Sequence, residues 1–299
     1  MADRGGIWKL GVLGGSGVYE IEGLQNRRWV KVETPWGDPS DELLCGDIDG
    51  VELVFLPRHG RGHRQTPTSV NARANIDALK RLGCTDILAL SAVGSLRDEL
   101  PPGTFVIVDQ YVDRTFAREK TFFGPGLVAH VSMAHPVCGR LAGMAAEAAR
   151  EAGATVVEGG TLLVMEGPQF STKAESELYR QWGCHVIGMT AMPEAKLARE
   201  AELPYASVCM VTDYDGWHPE HDAVEVDQVV RVMQANAARA RDLVARFAGR
   251  LTGKREPSPI DTCLDVAIMT APSARDPELM KKLDAVAGRV LGVEMRAAG

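Results

Sequence analysis

No run in these 299 residues approaches the roughly 20 consecutive apolar residues of a membrane-crossing helix. The opening Met1-Ala-Asp-Arg-Gly-Gly also lacks the apolar core of a secretory leader. A cytoplasmic location is therefore expected, with no membrane partner. Cysteine is sparse: six residues (45, 84, 138, 184, 209 and 263) form no C-x-x-C pair. Cys184 and Cys209 fall in apolar, strand-like runs, so reduced core thiols are expected rather than disulfides or metal ligands. There is no basic excess, with 33 Lys and Arg against 40 Asp and Glu, and this argues against nucleic acid as the main partner. No internal repeat is visible. What remains is an ordinary globular composition, long enough for a large α/β domain whose core needs no staples.

Strand-like and helix-like segments alternate, and the strand exits are chemically alike. Residues 7–13 read as a strand running into Gly14-Gly15-Ser16-Gly17, where glycines let successive amides turn toward one point and Ser16 adds a donor. This is neither G-x-G-x-x-G, nor a Walker loop, nor G-x-S-x-G, since Val18 holds the last position. Residues 51–56 form a second strand, followed by Pro57-Arg58-His59-Gly60-Arg61-Gly62-His63-Arg64, the densest basic cluster in an acidic chain. Arg suits phosphate oxygens, and a neighbouring His can take or give a proton. His59 and His63 are four apart, but the glycines between them break any helix and no H-E-x-x-H pattern is present, so zinc is not expected.

Helical spacing covers 70–82, and residues 86–90 form a buried strand ending in Ser91-Ala92-Val93-Gly94. A strand over 104–112 precedes an excursion loop over 113–126, and a helix is expected over 136–153. The strand over 160–165 exits through Glu166-Gly-Pro-Gln-Phe170-Ser171-Thr172, where Ser171 or Thr172 would cap a helix over 173–182. A short strand over 184–187 ends in Gly188-Met189-Thr190, before a helix over 191–201 with its acids and lysine on the outer face. The strand beginning at Tyr205 ends in Thr212-Asp213-Tyr214-Asp215-Gly216, and a long amphipathic helix runs over 226–251. A linker over 252–258 and one helix over 276–291 complete the chain. The expected fold is a single α/β domain with a central mixed, mostly parallel sheet flanked by helices, residues 1–251 being catalytic. Residues 252–299 form a C-terminal extension packed on that domain or on a neighbouring subunit.

In open α/β sheets ligands bind at the carboxyl ends of strands. Four exits carry glycine with a hydroxyl (Ser16, Ser91, Ser171, Thr190), one carries Arg58-His59, and one carries Asp213 and Asp215. Hydroxyls, amides and Arg suit phosphate, whereas carboxylates suit a ligand with N–H donors. A solvated turn and a metal-binding D-x-D remain open for the acids. From residue types alone the reading is an α/β enzyme that binds phosphate and a polar organic substrate.

Five motifs in order carry a resemblance: Gly11-Val-Leu-Gly-Gly-Ser-Gly17, Leu56-Pro-Arg-His-Gly-Arg-Gly-His63, Glu166-Gly-Pro-Gln-Phe-Ser171, Gly188-Met-Thr190 and Thr212-Asp-Tyr-Asp215. Together, from about residue 7 to about 250, they resemble the 5′-methylthioadenosine phosphorylases among the trimeric purine nucleoside phosphorylases. The resemblance implies phosphorolysis to adenine and 5-methylthioribose 1-phosphate, with phosphate as co-substrate and neither cofactor nor metal. It assigns Ser16, Arg58, His59, Ser91, Ala92 and Thr190 to phosphate, Met189 to the ribose, and Phe170, Ser171, Asp213 and Asp215 to the purine. Catalysis falls to Asp213, Asp215, Arg58 and His59. Val226 and Val229 would line the methylthio pocket, and His130 would reach a neighbour's pocket in a homotrimer. A 6-oxopurine nucleoside or methylthioinosine phosphorylase is the near alternative, and a metal-dependent glycosyltransferase or a non-catalytic sensor the remote ones.

Overall fold

The computed structural model describes residues 6–15, 18, 20–218 and 226–296, with the backbone alone for 226–229. The strands are β1 (Lys9–Gly14), β2 (Gln25–Val30), β3 (Leu43–Ile48), β4 (Val51–Pro57), β5 (Asp86–Ser95), β6 (Thr104–Val108), β7 (Gln110–Arg114), β8 (Thr155–Glu158), β9 (Thr161–Met165), β10 (Val186–Gly188) and β11 (Tyr205–Asp213). The helices are α1 (Ala72–Arg81), α2 (Gly139–Glu151), α3 (Lys173–Gln181), α4 (Ala191–Glu200), α5 (Val226–Arg250), α6 (Pro277–Lys282) and α7 (Asp284–Leu291). All the strands belong to one branched sheet, β2-β3-β4-β1-β5-β10-β9-β7, with β11 joining β5 to β6 and β6 pairing β8. Six of its ten pairings are parallel.

The central strands are covered on both faces and read as near-continuous apolar runs, as buried parallel strands do. Their alternate residues serve different cores. Ile87 and Ala89 of β5, with Val106 and Val108 of β6, pack with α1, α4 and α7. Leu88 and Leu90, with Phe105 and Ile107, pack with α2 and α5.

Five expectations need correction. β2 and β3 were not legible, because β2 is a polar, mostly exposed edge strand (QNRRWV) held by its antiparallel partner. The strand expected over 104–112 is two strands, split at Asp109 as the chain passes from the β11 branch to the β9 branch. β8 is four half-exposed residues without an apolar signal. The helix expected over 276–291 is two, meeting at Leu283. The stretch 252–258 is no free linker: Arg255, 1% exposed, sits between Asp86 (2.5 Å) and Asp261 (2.8 Å). Farther along, Arg81 of α1 pairs with Asp284 of α7, which fastens the extension to the same domain.

β5 decides where a ligand can sit. It lies between β1 and β11 over its first half, then meets β10 antiparallel at Gly94 and Ser95. The Arg58 amide donates to the Gly14 carbonyl at 3.0 Å, continuing the β1–β4 ladder by one residue. The exits of β1, β4, β5, β9, β10 and β11 therefore converge.

Candidate active site

A cavity of about 270 Å³ opens at these exits. Arg58, His59, Ser91, Ala92, Phe170, Met189, Thr190, Asp213 and Asp215, all named from the sequence, line it. Ser16 lies outside the described residues, as do the side chains of Val226 and Val229. Ser171 is not among the lining residues, but its side chain hydrogen-bonds Asp215 and its hydroxyl lies 3.6 Å from Met165 Sδ, while Thr172 takes the N-cap of α3 in a capping box with Glu175. His130 is exposed and does not line this chain's own cavity.

One wall suits an anion, and its charges are already engaged. Arg58 is 3% exposed, and its guanidinium donates to both oxygens of Glu194 and to the carbonyls of Leu90 (3.0 Å) and Leu13 (3.4 Å). Burial opposes this charge, but Glu194 more than offsets it and holds the arginine above its usual value. Tyr205 adds a hydroxyl donor to Glu194 at 3.1 Å. Glu194 was expected on an outer helix face, yet it is 1% exposed, because only a carboxylate can compensate a buried arginine there. His59 Nδ1 lies 2.9 Å from the Gln65 carbonyl, so it is the N–H donor and Nε2 is left as an acceptor. Burial first, then Arg58, pushes this histidine down to about 4. At neutral pH it is an uncharged imidazole, stacked on His63 at 4.4 Å between ring centroids. Ser91 and Thr190 bring their hydroxyls within 3.0 Å of each other across the β5–β10 junction.

The facing wall is acidic. Burial is the main force raising the Asp213 carboxyl, although Thr212 Oγ1 lies 2.6 Å from its Oδ1 and the Asp215 amide donates to Oδ2 at 2.9 Å. Burial, together with the Asp213 charge, lifts Asp215 to about 6 against a Ser176 hydroxyl that bonds it. Asp215 adopts φ 50°, a left-handed conformation that Asp tolerates better than most side chains. Gly94 makes the room: a Cβ there would stand 3.1 Å from Asp213 Oδ2 and 3.3 Å from the Asp215 Cβ.

Apolar groups separate the walls. Met165, Met189, Met210 and Phe170 join Met233 and Ala237 of α5. Gly167 admits Met189, since a Cβ at that position would lie 2.5 Å from Met189 Sδ. Arg118 locks the exits from behind, donating to the carbonyls of Glu166, Met189 and Met192, each at 2.6 Å, and to the Glu166 carboxylate at 3.1 Å. Backbone donors from Phe116 and Ala117 complete the shell of Glu166, and together with Thr68 and Arg118 they outweigh its burial and hold it down at about 2.

Sequence reasoning missed Glu194, Arg118, Glu166, Ser176, Met233 and Ala237 as parts of the site. Met233 and Ala237 carried a signal, lying on the apolar face of the long helix, but periodicity does not separate a core face from a cavity face. Arg118 sat in an irregular loop and Glu194 in a helix resembling a solvated one, and neither had a local cue.

A profile described as the phosphorylase superfamily matches residues 9–248. An S-methyl-5′-thioadenosine phosphorylase of Cereibacter sphaeroides is 66% identical, over 94% of this chain and 98% of the relative. One from Rhodospirillum rubrum is 62% identical, over 95% and 97%. Among solved structures, a methylthioadenosine phosphorylase from an antarctic soil metagenomic library superposes with a TM-score of 0.89 at 44% identity, covering 94% of this chain and 99% of the other. The Schistosoma mansoni methylthioadenosine phosphorylase in complex with adenine gives 0.75 at 38% identity, covering 81% and 91%. With a cavity of this composition at its strand exits, and with these relatives, the chain belongs to the phosphorylase superfamily and, within it, to the S-methyl-5′-thioadenosine phosphorylases.

Proposed function

We propose that this enzyme cleaves 5′-methylthioadenosine with inorganic phosphate, giving adenine and 5-methylthioribose 1-phosphate. One observation carries the reading: a single cavity joins an arginine-and-hydroxyl wall to a pair of carboxylates that no cation neutralises among the described residues. In this reading Arg58, Ser91, Ala92, Thr190 and Ser16 hold phosphate, and neutral His59 accepts a hydrogen bond from phosphate or ribose. Met189 lies under the ribose and Phe170 against the base. The C1′–N9 bond loosens toward an oxocarbenium-like ribosyl while negative charge builds on the purine. Asp213 neutralises that charge at N7, an interaction that strengthens only as the bond breaks. Asp215, with Ser171, accepts from the 6-amino group. Phosphate positioned at C1′ completes the displacement.

The reaction needs no metal or organic cofactor, and full turnover in excess chelator is expected. It serves purine and methionine salvage in the cytoplasm, where the six free thiols stay reduced. The working form is a homotrimer whose neighbouring subunit brings His130 to the methylthio end, where Val226 and Val229 lie. Exposed Val128, Val266 and Met269, on the paired segments beside His130, supply apolar surface for that contact. Light scattering should give three times the 32.3 kDa chain mass. The deciding assay compares phosphate-dependent base release from methylthioadenosine, adenosine, inosine and methylthioinosine. Methylthioadenosine should be fastest, because carboxylates repel a 6-oxo acceptor. Faster cleavage of methylthioinosine would overturn the assignment.

A further inference from the structure

Thr212 occupies the irregular position of β11. The ladder with β5 runs Val211↔Val93 and then Asp213↔Gly94, so Thr212 is the extra residue of a β-bulge. A bulge re-aims the side chain at that point, and here it turns a hydroxyl toward both the sheet and the acidic wall. Thr212 Oγ1 lies 3.1 Å from the Val93 carbonyl and 2.6 Å from Asp213 Oδ1. A threonine hydroxyl has one proton to donate and lone pairs to accept with. Two acceptors therefore compete for one proton, and its place depends on whether Asp213 carries a proton of its own.

With Asp213 protonated on Oδ1 and that O–H turned toward the purine's N7, the protonated oxygen is a poor acceptor and the threonine proton goes to Val93. With Asp213 ionised, the threonine proton turns to Oδ1, and the carboxylate then holds two donors, Thr212 on Oδ1 and the Asp215 amide on Oδ2. The change is a rotation about one C–O bond and moves no heavy atom. The other titratable groups lining the cavity are Asp215, two residues on from Asp213, and Arg58, His59 and His63 on the β4 exit. Among the described residues no cation bonds Asp213, and the hydroxyl is its only side-chain donor.

We propose that Thr212 is a positioning residue for proton transfer: its hydroxyl rests on the Val93 carbonyl while Asp213 is protonated, and swings to Asp213 as that carboxyl gives its proton to the purine. The proposal rests on the reading of Asp213 as the N7 partner. In the step, the Asp213 O–H bond breaks and N7–H forms. The C1′–N9 electron pair passes to the purine, and a phosphate oxygen forms the new bond to C1′. No oxidant or reductant is needed. Thr212 stabilises the carboxylate that exists only once the proton has left, as catalysis by differential binding requires. Asp215 has a parallel arrangement, since Ser176 Oγ bonds its Oδ2 and also lies 3.2 Å from the Thr172 carbonyl.

The test is binding of two bases to the folded enzyme with phosphate present, by calorimetry. Adenine offers an acceptor at N7 and pairs with protonated Asp213. A 9-deaza analogue carries hydrogen on N7 and pairs with the ionised carboxylate. Thr212→Val should weaken the 9-deaza base at least tenfold and adenine less than threefold, and Thr212→Ser should recover most of the loss. The same valine variant should move the alkaline limb of kcat/KM upward by about one pH unit, because removing a donor to the charged form raises a carboxyl's pKa. Thr212→Ala carries the same comparison should the valine variant fail to fold. If Asp213→Ala selectively weakens the 9-deaza base while Thr212→Val weakens both bases equally or neither, the role of Thr212 falls and the N7 reading stands. If Asp213→Ala leaves the 9-deaza base untouched, the N7 reading falls and takes this proposal with it.

Discussion

The two walls of the cavity handle charge in opposite ways. On the β4 side, Arg58 is buried with its compensating Glu194, and His59 is kept neutral by burial and by that same arginine. On the β11 side, Asp213 and Asp215 are buried beside each other with hydroxyl and amide donors but no bonded cation among the described residues, and both are pushed upward. The first wall is electrically settled before any ligand arrives, so it can orient an anion without rearranging. In the second, burial lifts Asp215 to about 6 and pushes Asp213 upward as well, the direction that favours a carboxyl exchanging a proton with a ligand.

Breaking the acidic wall should have the largest effect. Asp213→Asn should lower adenine release by roughly 10²–10⁴-fold while phosphate affinity, measured by calorimetry, stays within a few-fold. Near-normal turnover would mean that the wall is only a shaped surface. Damage to the settled wall should appear first in stability. Glu194→Ala strands a buried arginine and should cost about 3–5 kcal/mol in urea unfolding, and Glu194→Gln less. A loss under 1 kcal/mol would show that solvent reaches Arg58. Smaller again is Gly94→Ala, whose methyl presses on both carboxylates. Overpacking of this kind costs about 1–3 kcal/mol, and it should appear as lost kcat/KM with the overall fold retained in circular dichroism.

Acid unfolding separates the walls by sign. His59 titrates near 4 folded against 6.5 in its ordinary state, so its contribution is present above pH 6.5 and lost as pH falls through about 4. Asp215 titrates near 6 folded against 3.8, so its contribution is full below about pH 4 and lost as pH rises through about 6. Across pH 4–6.5 the two slopes oppose each other. His59→Asn should flatten the acid loss of stability and Asp215→Asn should steepen it, read from urea midpoints against pH. The smallest change is Phe170→Ala: at 45% exposure the ring guards the rim, and losing about 1 kcal/mol of contact should raise KM for the nucleoside several-fold with kcat little changed. A large fall in kcat would move Phe170 into the chemistry.

Much of the site was legible because strand exits announce themselves locally. A buried apolar run followed by glycine, a hydroxyl or an acid marks where the backbone leaves the sheet, and Arg58, Ser91, Thr190, Asp213 and Asp215 were all found that way, whereas Met189 came from the family motif. What could not be read were the groups acting on those residues from elsewhere in the chain. Glu194 lies 136 residues from Arg58, and Arg118 reaches Met189 over 71 residues. β2 and β8 were invisible because edge strands need no apolar pattern, only a partner with free amides and carbonyls.

By itself, then, the sequence determined the alternation of strands and helices, the chemistry at each exit and the family motifs, since these are written in neighbouring residues. The tertiary structure alone decided which exits meet, that a helix glutamate lies buried against Arg58, and that a bulge aims one hydroxyl of β11 between Val93 and Asp213. The physical reason is common to all three. Burial and hydrogen-bond partners are supplied by distant segments, and they set whether a carboxyl or an imidazole is charged.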